Sequence, residues 1–206
     1  KEYAKAICTY LGMAISRSAD YWSTLATWMP RGTVGHVFAT HVIPMTWDYP
    51  EANPFSSFHC SWATNADWVA KVVERTYKEM SNGIVTQCDA RAADYKGKVV
   101  STDPPYYDTV PYADISDYFY VWQRRALKPF YPELFGSIQT PKSDELVADV
   151  KRWGDSANEY FMSGMTQVMA KIANESSPYF PVTIYYAFKQ SESTDVKTIS
   201  RGWEAF

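Results

Sequence analysis

Lys98-Val-Val-Ser-Thr-Asp-Pro-Pro-Tyr-Tyr-Asp108 is the stretch on which the reading of this chain turns. Its first half is apolar and β-branched, which predicts a short strand over 98–102. Pro104 and Pro105 then remove two backbone donors and bar a helix, so the strand must end at Asp103. The turn leaves a carboxylate, unpaired carbonyl oxygens and the Tyr106 ring close together. Downstream, Ile115, Phe119, Trp122 and Ala126 recur at helical spacing, which predicts a helix over 114–127 with these residues on its core face. Strand, rigid turn and helix follow one another directly.

The flanking sequence extends this alternation. Upstream, Ile84-Val-Thr-Gln-Cys88 reads as a strand ending at Asp89, entered through an Asn82-Gly83 turn. Downstream, Ser156-Ala-Asn-Glu159 resembles a capping box opening a helix with Phe161, Met165, Val168, Met169 and Ile172 on one face. Pro178 and Pro181 stop it, and Val182–Phe188 is a β-branched and aromatic strand. A short helix fits around Asp144 to Val150. The expected class is α/β, a partial Rossmann-like fold with a mostly parallel sheet. Three strand ends (Asp89, Asp103 to Asp108, and Tyr185 to Lys189) would then share one edge of that sheet, where ligands bind in open α/β folds.

Residues 1–82 read as a helical and irregular N-terminal segment or insertion, and 83–206 as a partial catalytic domain. In the first part, Ile7, Leu11, Ala14, Ile15, Tyr21 and Leu25 predict a helix over 3–28 that Pro30 and Gly32 end, with Gly12 weakening it. Residues 33–46 suggest one or two strands and 47–58 a long loop. Thr64 or Asn65 would cap a helix through Trp68, Val69, Val72 and Val73, with Asp67 in its first turn.

The chain has 206 residues, 46% hydrophobic and 21% charged, a folded and not a disordered composition. Aromatic residues make up 17%, enough to fill a core or to line a site for flat ligands. The net charge of −3 does not announce a basic nucleic-acid face. Cys8, Cys60 and Cys88 form no CxxC pair, and His36, His41 and His59 lack ligand spacing, so no metal and no disulfide framework are expected. No apolar run approaches 18 residues and no leader is evident, so a cytoplasmic chain without a membrane span is expected. Lys1 enters directly into a helical pattern and Gly202–Phe206 reads as a helix just beginning, so a piece of a longer protein is expected.

The turn at Asp103 suits one chemistry best. An exocyclic amine on a flat heterocycle is a poor nucleophile because its lone pair is delocalised into the ring. Asp103 and the Pro104 carbonyl can accept its two N–H bonds and favour the pyramidal form, while Tyr106 stacks on the ring, a contact worth about 1–3 kcal/mol. A base inside a duplex must flip out to reach such a turn. The plainer reading is a Pro-Pro turn with a capping Asp and a packed Tyr.

Ser101-Thr-Asp-Pro-Pro-Tyr-Tyr-Asp108 resembles the catalytic motif of amino-methyltransferases acting on adenine N6. Pro111-Tyr-Ala-Asp114, Ser116-Asp-Tyr-Phe-Tyr-Val-Trp122, Pro44-Met-Thr-Trp-Asp-Tyr49, Asn53-Pro-Phe55 and Pro181–Gln190 together resemble a narrower group. These are the large adenine-specific DNA methylases with an N-terminal domain of unknown function (DUF1156). The resemblance implies S-adenosylmethionine as cofactor, DNA as partner, and a setting of DNA modification or phage defence. It implies that Asp103, Pro104, Pro105 and Tyr106 hold the target base. Asp89 would match the acidic position that contacts the cofactor's adenine, or else it caps a strand end. Tyr107 and Asp108 would shape the substrate rim, with Asp108 alternatively capping the turn. Tyr186 and Lys189 would face the substrate, or else pack in the core and extend into solvent respectively. Arg124 and Arg125 would touch phosphate, or else close a helix end.

The family's Gly-rich FxGxG-like cofactor turn is missing, and Gly32-Thr-Val-Gly35 has neither its spacing nor its context. That motif is expected upstream of this chain. Two rivals stand beside the DNA reading: an amino-methyltransferase on RNA or protein glutamine, and a non-catalytic nucleic-acid-binding or assembly module.

Overall fold

The computed structural model describes residues 1–39, 42–76, 83–108 and 110–186. The chain forms two compact units, one from Lys1–Gly83 with Tyr112–Pro141, the other from Ile84–Pro111 with the chain from Lys142 onward. The fold is mixed α/β. Among the described residues, strand pairing amounts to two two-stranded sheets, one antiparallel and one parallel, where a larger and mostly parallel sheet was expected.

The first unit packs helix α1 (Glu2–Ala19) against α2 (Trp62–Thr76) and α3 (Tyr112–Leu127). Gly12, a weak helix former, has a packing reason: a Cβ there would sit 3.1 Å from the Leu127 side chain. α1 ends well before Pro30. Asp20 accepts from Val37 N at 3.0 Å and pairs with His36 Nδ1 at 2.5 Å. Those tertiary bonds outcompete another helical turn. Trp28–Met29 (β1) instead pairs antiparallel with Thr33–Val34 (β2) through a turn in which Gly32 takes φ 75°. No longer strand forms over 33–39, and Val42 and Ile43 are exposed.

α2 starts at Trp62, not at 65. Ser61 Oγ caps it by accepting from Thr64 N at 3.2 Å. Asn65 is fully buried inside the helix. It accepts from Arg17 Nε at 3.1 Å and donates to Ser18 Oγ at 3.0 Å, tying α2 to α1. Asp67 pairs with Lys71 one turn on and not with the helix start. On α3 three residues of the expected face, Ile115, Phe119 and Ala126, are half-buried and Trp122 is exposed, while Leu127 is buried and Tyr118 donates to Ala19 O at 2.7 Å. Arg124 Nε donates to Ser137 O at 2.7 Å, so it fastens a loop of its own unit.

The second unit is organised on helix α5 (Ala157–Glu175). Phe161, Met165, Val168 and Ile172 form its buried face, as the spacing predicts, against Val100, Leu146 and Ala148. A Cβ on Gly164 would fall 2.3 Å from Leu146 Cδ2, so this glycine permits the close approach. The capping box is absent. Ser156 makes no capping bond, because a 3₁₀ turn (Gly154–Ser156) leads into α5 with near-helical backbone. The short helix forms later than expected, as α4 (Val150–Trp153), capped by Asp149 accepting from Lys151 N at 2.8 Å.

The parallel pair is β3 (Ser101–Thr102) with β4 (Thr183–Ile184), in register Ser101↔Thr183 and Thr102↔Ile184. Gly97 at φ 65° turns the chain into this run. The carbonyls of Lys98, Val100 and Thr102 then accept from Ser177, Thr183 and Tyr185 in succession. The expected strand at Ile84–Cys88 does not form. Ile84 and Val85 are 91% and 97% exposed, and β-branched residues alone make no strand without a ladder partner. Asn82 and the 187–188 end of the last predicted strand lie outside the described residues.

Candidate functional site

The Asp103–Asp108 loop leaves the carboxyl end of β3, beside the end of β4. Pro104 is buried and Pro105 half-buried, so the turn is rooted in the unit while Asp103 and Asp108 are exposed. No donor among the described residues reaches the Pro104 carbonyl. Tyr106 is half-buried, and its phenol donates to Asp103 Oδ1 at 3.0 Å. Asp103 and Tyr106, predicted to act together, are therefore bonded to each other.

Three further contacts hold the loop. Ala148 N donates to Tyr107 O at 2.7 Å. The Tyr107 ring lies edge-on to buried Phe161 with centroids 5.2 Å apart, and its hydroxyl donates to Asn158 Oδ1 at 3.1 Å. Tyr107 is thus an anchor into α5, where a rim residue was expected. From the end of β4, Tyr186 accepts from Tyr107 N at 3.4 Å and sets its ring at 81° to Tyr106, centroids 5.2 Å apart.

The strap carrying Ala148 is itself fixed. Tyr160 stacks on Trp153 at 4.1 Å and donates to Ser143 O at 2.6 Å. Arg152 bonds Glu145 at 2.7 Å and Asp149 at 3.3 Å, with all three side chains largely buried. In a charged cluster enclosed this way, loss of one partner would leave the others uncompensated.

Asp89 sits elsewhere in this unit's bonding. It accepts from Arg91 N at 2.8 Å and from Arg91 Nε at 2.9 Å, and pairs with its terminal nitrogen at 2.7 Å. The Arg91 side-chain bond, then its backbone N–H, hold the carboxyl below its ordinary range. Among the described residues none of its bonds runs to the 103–108 loop. Lys189 lies outside the described residues. No group of three metal-ligating side chains occurs among the described residues, and no helix there is long and apolar enough to cross a membrane.

A groove of about 310 Å³ lies in the first unit, between α1 and α2, walled by Tyr10, Met13, Trp68 and Val72 with Arg17 at its side. It carries apolar surface and no acid–base chemistry, so the loop remains the candidate site on chemical grounds.

Sequence reasoning found the loop but left Tyr186 between core and site. The signal for its role was the pair of tyrosines at the end of a strand beside the Pro-Pro turn. No protein-family model matches the chain, and no curated protein or solved structure matches it significantly.

Proposed function

We propose that this chain supplies the adenine-holding part of a DNA adenine-N6 methyltransferase, on a partial Rossmann-like frame. The observation that carries the reading is the Asp103–Tyr106 pair at the end of a parallel strand: an exposed carboxylate, an open proline carbonyl and a phenol ring within one short turn. Asp103 and the Pro104 carbonyl accept the two amine hydrogens, drawing the nitrogen toward a pyramidal, nucleophilic form. Tyr106 holds the flipped base by stacking. Fixed acceptors of this kind act by preorganisation and need no rearrangement as charge develops.

S-adenosylmethionine is the methyl donor that the motif implies, but the residues present do not fit it. The sequence has no Gly-rich cofactor turn, and the Asp89 carboxylate is engaged by Arg91. The role proposed for this chain is therefore confined to the amine side of the reaction.

The test is methyl transfer from tritiated S-adenosylmethionine to DNA, RNA and protein, by the natural protein. Label should enter N6-methyladenine in DNA and vanish in Asp103→Ala with folding intact. Label in RNA or protein glutamine alone would reassign the substrate. Full transfer by Asp103→Ala would sink the reading.

A further inference from the structure

We infer that Tyr186 is a positioning residue that sets the tilt of the Tyr106 ring and completes the strand pairing where prolines interrupt it. Among the described residues, the last backbone bond between the two strands is Tyr185 N donating to Thr102 O at 2.8 Å. Beyond it, Pro104 and Pro105 have no N–H to offer a neighbouring strand. Tyr107 N donates instead to a side chain, the Tyr186 hydroxyl, at 3.4 Å. A tyrosine two residues past β4 thus carries the connection one step beyond the last backbone bond among the described residues.

The same residue fixes the plate. Its ring meets Tyr106 edge-to-face, at 81° and 5.2 Å, the arrangement that aromatic quadrupoles favour. Tyr106 in turn holds Asp103 through its phenol. One side chain two residues past β4 therefore touches both the backbone after the prolines and the ring proposed to stack on the base. The long Tyr107–Tyr186 bond is weak alone, and the ring contact is the larger share of the brace. That the plate serves adenine rests on the function proposed above; the brace itself does not.

The experiment uses the chain labelled with 3-fluorotyrosine, its Tyr106 fluorine signal assigned by Tyr106→Phe. Tyr186→Leu, which removes ring and hydroxyl, should move the Tyr106 signal toward the value of a solvent-averaged tyrosine. Adenosine should bind that variant about five- to tenfold more weakly than the unsubstituted chain, as expected from losing one aromatic contact. Tyr186→Phe keeps the ring, so the Tyr106 signal and adenosine binding should stay close to their original values. Its Tyr107 amide should exchange about two- to fivefold faster. An unmoved Tyr106 signal in a folded Tyr186→Leu overturns the inference. So does unchanged Tyr107 exchange in Tyr186→Phe, should the leucine variant not fold. A Tyr106 signal that answers to Tyr186→Leu but not to adenosine upholds the brace and overturns the adenine reading alone.

Discussion

The Tyr106 phenol donates to Asp103 Oδ1 across 3.0 Å, so the ring and the carboxylate proposed to grip one amine are held in a fixed relation. Tyr106→Phe should keep the stacking surface and release the carboxylate to rotate. Methyl transfer should slow about fivefold, the worth of one hydrogen bond, with substrate affinity nearly unchanged. Steady-state kinetics separate the two. A loss carried wholly by KM would mean that the hydroxyl meets the base and not Asp103.

Gly164→Ala should destabilise the second unit, because the new methyl would lie 2.3 Å from Leu146 Cδ2 in a packed cluster. About 1–3 kcal/mol is expected for such overpacking. Leu146→Ala alone should cost roughly 2–4 kcal/mol. Combined, the two should cost less than their sum, since the truncated leucine makes room. Urea unfolding of all four proteins checks this, and strict additivity would rule out the contact.

The pairing of Asp89 with Arg91 predicts a pH dependence. The carboxyl is held below its ordinary value, so the folded state binds that proton less readily than the unfolded chain. Its stabilisation is fully present above the unfolded value of about 4 and is lost as pH falls through the lower folded value. The pair is partly exposed, so less than about 1 kcal/mol is at stake. Arg91→Ala should return the Asp89 carboxyl titration, followed by carbon NMR, toward about 4. A titration unmoved by the substitution would exclude the pair in solution.

Asn65 is fully buried and meets Arg17, Ser18 and the Cys60 carbonyl. Asn65→Ala removes the donor to the buried Ser18 hydroxyl, while the Cys60 carbonyl keeps its bond from Trp22 Nε1 and Arg17 reaches solvent, and should cost about 1–2 kcal/mol. Asn65→Asp should recover little, because it keeps an acceptor for Arg17 but loses both donated bonds. Denaturant midpoints compare the three. An alanine variant as stable as the parent would show that the network closes without the amide.

Much of the second unit could be read in advance. The spacing of Phe161, Met165, Val168 and Ile172 names the buried face of α5, and the β-branched run before Asp103 names β3. Asp103 and Tyr106 were legible as partners because three residues and two prolines leave them little room to separate. What the sequence hid depends on distant partners. Ile84–Cys88 has strand composition but, among the described residues, no neighbouring strand, and composition does not record that. α1 stops early because Asp20 bonds a segment sixteen and more residues on. Tyr186 meets Tyr107 across 79 residues, a meeting decided by strand register that local pattern leaves open.

Both compact units are assembled from two separated stretches, with residues 112–141 interposed between the halves of the second. On the ribosome, neither unit can close when its first stretch emerges. Ile84–Pro111, bearing the Pro-Pro turn, must wait for α5 before Phe161 reaches Tyr107. A nascent chain in that interval shows naked apolar surface, and it is then that chaperones would engage it. For the same reason no single cut in the gene would release either unit free of residues that belong to the other.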